Sequence, residues 1–159
     1  MDVQAGIVAL LAAAVASALG AAGPTARPQP QSARCPRPTQ VALVRSLVTA
    51  FNAGDTRAVN RLMAPKPAFE WFSAIGPDGR AGKEAENRST LAGYIRRRHR
   101  HHDHLALVQF GSVDEQGQLD LTLLIRRRAD DYRPRNLLRA KQDSTCSTSH
   151  RPWLIVWSM

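Results

Sequence analysis

Apolar residues recur at helical spacing along the middle of the chain. Val41, Val44, Leu47, Val48 and Phe51 form one stripe, with Thr39 placed to cap the first turn. Asn52-Ala53-Gly54-Asp55 ends this helix, since Gly54 can take the left-handed conformation and Asp55 can cap a second helix. The second helix is short, carries Val59, Leu62 and Met63, and stops at Pro65 and Pro67. Ala68 to Ala74 alternates as a strand, with Phe69 and Trp71 on one side and Glu70 and Phe72 on the other. Gly76-Pro77-Asp78-Gly79 is turn chemistry. A third helix starts near Ser89 or Thr90, turns Leu91, Tyr94 and Ile95 inward, and runs into a stretch of Arg and His ending at His104.

Beyond His104 the period changes from helix to strand. Leu105 to Val113 reads as one strand, followed by a turn at Glu115-Gln116-Gly117. Leu119, Leu121, Leu123 and Ile125 then alternate with Asp120, Thr122, Leu124 and Arg126, the pattern of a half-buried strand. Arg133 to Ser149 is polar and reads as loop. Trp153 to Trp157 is continuously apolar, which predicts a strand covered on both faces. The expected domain, residues 41–159, is α+β: about three helices and one early strand, then an antiparallel meander.

The N-terminal part differs. Ile7 to Leu19 is an unbroken run of Ala, Val, Leu, Ile and Ser. It has the length of a secretory core and falls short of the about 20 residues that span a bilayer. No Lys or Arg precedes it, so residues 1–22 read either as a signal peptide or as an uncleaved anchor. Export follows from that reading, and a cytoplasmic location follows if the segment is no signal. Residues 23–40 hold Pro24, Pro28, Pro30, Pro36 and Pro38, which predicts an extended linker. The two cysteines, Cys35 and Cys146, read as one disulfide in an exported protein, with two free thiols as the alternative. Too few ligands accompany them for a metal site.

The order of elements, together with Val-Arg-Ser-Leu-Val-Thr-Ala-Phe-Asn-Ala-Gly-Asp at residues 44–55, resembles the nuclear transport factor 2-like superfamily. SnoaL-like cyclases and ketosteroid isomerases are members of that superfamily. The resemblance implies a strongly curved antiparallel sheet wrapped by helices into a cone, with a ligand pocket inside. It places the isomerase tyrosine at Leu47 and the isomerase carboxylate base at Trp71, neither of which can move a proton. It turns Phe69 and Trp71 into the cone and Glu70 away from it. The expected protein is therefore an exported SnoaL-like domain binding a small apolar ligand without isomerase chemistry. Its pocket would be lined by Phe69, Trp71, Tyr94 and His102. No cofactor and no metal is expected, and a homodimer is compatible with the fold.

Two other readings remain open. His102 continues the inward line of Leu91, Tyr94 or Ile95, and Arg98, so it is the candidate acid–base group of a cyclase or lyase. Asp130 and Asp131 are paired carboxylates that either share such work or offset neighbouring arginines. The third reading starts from charge. Lys and Arg number 22 against 13 Asp and Glu, for a net charge of +9. Arg96, Arg97, Arg98 and Arg100 form one basic run and Arg126, Arg127 and Arg128 another. Such patches fit a surface-interaction module attracted to polyanions or a membrane surface. Nucleic acid is disfavoured, because the aromatics lie on the apolar sides of strands instead of on an accessible stacking face. The spacing of His99 with His102 and of His101 with His104 offers two ligands at most, and solvated charge at a helix end explains it as well.

Overall fold

The first helix, α1 (Arg37–Asn52), begins ahead of the cap expected at Thr39. Pro38 falls in its first turn, where a missing N–H costs no hydrogen bond. Pro36 stands at the N-cap and its carbonyl accepts from Gln40 N at 3.1 Å. The computed structural model describes residues 33–65, 69–74, 81–115, 118–132, 136–147 and 151–159. The apolar N-terminal run, most of the proline-rich segment, the Gly76–Gly79 turn and Gln116-Gly117 lie outside them.

The Asn-Ala-Gly-Asp stretch does what its residue types dictate. Gly54 takes φ 66°, and an added Cβ would meet the His99 ring at 2.6 Å. Asp55 caps α2 (Thr56–Leu62) by accepting from Ala58 N at 2.9 Å. The Asn52 side-chain amide exchanges two bonds with the Leu105 backbone, at 2.8 and 2.9 Å, which ties the end of α1 to the sheet. The third helix, α3 (Arg88–Arg100), is capped by Asn87 in a reciprocal box with Thr90.

Among the described residues seven strands make one sheet, in the order β3-β2-β7-β6-β5-β4 with β1 paired to β6. They are β1 (Ala33–Arg34), β2 (Glu70–Ala74), β3 (Ala81–Ala85), β4 (His104–Glu115), β5 (Gln118–Arg128), β6 (Leu138–Cys146) and β7 (Pro152–Ser158). Four expectations of the sheet need correction. β2 pairs β7 in parallel, so the sheet is mixed. β3 was not legible in Ala-Gly-Lys-Glu-Ala. The polar segment before the last strand contains β6, which hydrogen-bonds to β5, β7 and β1. Position inside the sheet overrides its weak strand propensity. β7 buries Leu154 and Trp157 and keeps Trp153, Ile155 and Val156 half-buried, so its cover is unequal on the two faces.

A disulfide joins Cys35 to Cys146 where β1 meets β6. The core lies between the helices and one sheet face. Leu43, Val44, Leu47, Val48 and Phe51 of α1 and Leu91, Tyr94 and Ile95 of α3 pack on Trp71, Leu121, Leu123, Ile125, Leu154 and Trp157. No described helix is long and apolar enough to cross a membrane.

Candidate functional site

The alternation that places Leu121, Leu123 and Ile125 inward continues one step further, to Arg127. The spacing that places Leu91, Tyr94 and Ile95 inward also continues, to Arg98. Both guanidinia are therefore buried: Arg98 follows the inward line expected of its helix, whereas Arg127 was expected only as part of a surface basic run. Asp103 lies between them with no exposed side-chain surface. It accepts from Arg98 Nε at 2.6 Å and from Arg127 Nε and Nη2 at 3.0 and 2.5 Å. Arg127 Nη1 donates to Ser73 Oγ at 2.7 Å and Nη2 to the Tyr94 hydroxyl at 3.1 Å. The Tyr94 hydroxyl itself donates to Ser73 Oγ at 2.9 Å. Arg98 meets Asp131 through two parallel bonds of 2.8 Å.

Two arginines and two aspartates thus cancel in charge, as burial demands. Burial alone would push each guanidinium down. The bonds and charges of Asp131 and Asp103 at Arg98, and of Asp103 and Tyr94 at Arg127, more than offset it, so both are held above the ordinary value. Hydrogen bonding from Arg98 lowers the Asp131 carboxyl. Burial raises the Tyr94 phenol, which Arg127 and Ser73 only partly offset. Arg98, Arg127, Asp131 and Tyr94 are thus each moved further from titration at neutral pH, as suits a structural network.

Beside the network stands an aromatic cluster. Trp71 has Phe51, Tyr94 and Trp157 around it, at ring-centroid distances of 6.2, 5.8 and 5.6 Å. Trp71 and Trp157 are partners across β2 and β7, so their indoles occupy one face. Phe69 is also buried in the core. Of the four side chains expected to line a pocket, Phe69, Trp71 and Tyr94 are therefore packed in the interior. His102 is apart from them: it follows the end of α3 at φ 49°, its side chain is 82% exposed, and its Nδ1 lies 2.7 Å from Asp130. The other histidines diverge. His99 packs on Gly54, His101 approaches Asp131 at 3.8 Å, and His104 contacts Asn52 at 3.2 Å. Among the described residues no three potential ligands converge as a metal site.

The opposite sheet face carries a row of arginines. Thr122, Leu124, Arg126 and Arg128 alternate with the buried residues of β5, so they share the outer side. Leu124 is paired with Arg139 of β6, which joins the same side. Arg126, Arg128 and Arg139 are exposed, and among the described residues none is in an ion pair. Glu70, toward the far end of this face, is occupied by Lys83 at 2.6 Å. A groove of about 300 Å³ runs across the face, lined by Gly111, Thr122, Leu124, Arg139, Lys141 and Ser158.

Solved structures match this arrangement over most of the chain. A provisionally assigned ketosteroid isomerase from Shewanella frigidimarina superposes with a TM-score of 0.56 at 6% identity, covering 76% of this chain and 93% of its own. A provisionally assigned dehydratase of the NTF2-like family from Streptomyces avermitilis gives 0.54 at 9% identity, covering 76% and 91%. A Mycobacterium tuberculosis protein of unknown function gives 0.54 at 9%, covering 76% and 72%. The chain has the nuclear transport factor 2-like fold. No family model and no curated protein matches the sequence. Within the nuclear transport factor 2-like cone, Leu47 and Trp71 are the positions at which the resemblance sets the isomerase tyrosine and base. Both are completely buried among apolar side chains.

Proposed function

We propose that this chain is a non-catalytic recognition domain that binds a polyanionic partner through the outer face of its sheet. The observation that carries this reading is the row formed by Arg126, Arg128 and Arg139, exposed and without a carboxylate partner among the described residues, beside a groove on the same face. Arginine suits the task, because its planar fork engages sulfate, phosphate or carboxylate groups with two parallel bonds. The interior supports the same reading from the other side. The base position holds an indole, and the buried ionisable groups are committed to one another. The Cys35–Cys146 disulfide fits work in an oxidising compartment, hence export.

The test is retention on an immobilised sulfated polysaccharide. The parent protein is expected to elute at higher salt than a variant carrying Arg126→Gln, Arg128→Gln and Arg139→Gln, because exposed charges act through a screened field. Equal elution of the two proteins, with equal melting temperatures, would overturn the reading.

A second reading, a small apolar ligand held in the cone, draws support from two buried groups. The Trp157 indole N–H and the Gln142 side-chain oxygen, on paired residues of β6 and β7, have no hydrogen-bond partner among the described residues. Buried polar atoms in that condition are uncommon, and a mainly apolar ligand carrying one acceptor and one donor would satisfy both. Native mass spectrometry of protein from its own host tests this reading, and recovery of the bare chain mass alone would count against it.

A further inference from the structure

A separate recess lies where the end of α2, the start of α3 and the start of β7 come together. Its volume is about 290 Å³, and Asn60, Arg61, Met63, Arg88, Arg151 and Trp153 line it. Its walls are anchored. Ala64 N donates to Leu154 O at 2.8 Å and Met63 bridges Leu154, which fixes α2 against β7. Arg88 reaches back from the first turn of α3 to the carbonyls of Asn60 and, at 3.2 Å, Met63. Its guanidinium is thereby immobilised without being neutralised. Arg151 lies over the Trp153 ring at 5.7 Å.

The charge is one-sided. Three guanidinia line the recess, no carboxylate does, and among the described residues none of the three is in an ion pair. Arg88 has a structural use as a cap for the carbonyls ending α2. Arg61 and Arg151, both exposed, have no comparable bond among the described residues.

We propose that this recess binds a small organic oxyanion, a phosphate monoester or carboxylate bearing an aromatic or apolar group. The oxyanion meets Arg61, Arg88 and Arg151, and the apolar part lies against Trp153. A pre-positioned guanidinium such as Arg88 loses little freedom on binding, which favours a small ligand over a flexible chain. The site is distinct from the Arg126–Arg139 face and does not depend on it.

Tryptophan emission reads the site, because Trp153 is half-buried whereas Trp71 and Trp157 are fully buried. The probes are phenyl phosphate, benzoate, inorganic phosphate and benzyl alcohol. Phenyl phosphate is expected to change the emission saturably and benzoate to do so more weakly. Inorganic phosphate should compete with phenyl phosphate, and benzyl alcohol should have no effect. Arg61→Gln and Arg151→Gln should each weaken phenyl phosphate binding by about tenfold, the scale of one charge-assisted bond, with melting temperature unchanged. The response should vanish in Trp153→Phe. Equal binding of benzyl alcohol, undiminished binding in both arginine variants, or a response surviving in Trp153→Phe would each overturn the proposal.

Discussion

Replacing Asp103 by asparagine keeps the shape of the buried network and removes the charge at its centre. In the parent, Arg98 and Arg127 are balanced by Asp103 and Asp131, and three of these four side chains are at most 2% exposed. In Asp103→Asn, Arg98 keeps its two bonds to Asp131. Arg127 is left with the hydroxyls of Ser73 and Tyr94 and, at best, one amide oxygen. Stripping the partner from a buried charge costs about 3–5 kcal/mol. For a domain of this size that corresponds to a fall in melting temperature of about 10–20 °C. Thermal unfolding followed by circular dichroism at neutral pH measures it. The combined variant Arg98→Met, Asp103→Leu, Arg127→Met should recover most of the loss, because the one charge it leaves without its arginine, Asp131, is 38% exposed and not buried. An Asp103→Asn protein melting within about 2 °C of the parent would refute the reasoning, since a loss of that size corresponds to under about 1 kcal/mol. So would a combined variant less stable than the single one.

Other consequences are equally direct. The Asp131 carboxyl is lowered by its bonds from Arg98, so its contribution to stability is complete above the ordinary carboxylate range and is lost as the pH falls through the lowered value. The parent should therefore lose more urea resistance on acidification than Asp131→Asn, and parallel losses would contradict the link. Gly54→Ala should destabilise by about 1–2 kcal/mol from the left-handed backbone, plus a clash with the His99 ring. Adding His99→Ala should relieve only the clash, which urea titration of the three variants resolves. Replacing Cys35 and Cys146 together by serine should cost up to about 4–5 kcal/mol in the chain-entropy account, given their separation of 111 residues. An unchanged urea midpoint would show that β1 and β6 hold together without the bond.

The fold was legible where side-chain spacing alone decides structure. The stripe from Val41 to Phe51, the Gly54 turn and the Asp55 cap follow from local stereochemistry, and all are present. β6 was not legible, because Leu-Arg-Ala-Lys-Gln-Asp-Ser-Thr-Cys carries little apolar alternation and is held by neighbours distant in the chain. The parallel β2–β7 pairing joins segments from opposite ends of the domain, which no local pattern encodes. Arg98 and Arg127 are instructive in another way. Each continues an inward periodicity established by apolar residues, so the positions were marked even though the residue type argued for solvent. What the sequence hid was the compensation, since nothing local marks Asp103 as the carboxylate that meets both. The candidate sites depend on similar convergence. Arg139 joins Arg126 and Arg128 only through strand register, and Arg61, Arg88 and Arg151 come from α2, α3 and the residue before β7.

The recognition reading is tested most directly by the salt dependence of binding to a fluorescent polyphosphate, measured by anisotropy. The parent should bind with an affinity that falls steeply with added salt, as expected when several exposed arginines engage one polyanion. The variant carrying Arg126→Gln, Arg128→Gln and Arg139→Gln should bind more weakly, with a shallower dependence. The same affinity and the same slope in both proteins would contradict the account.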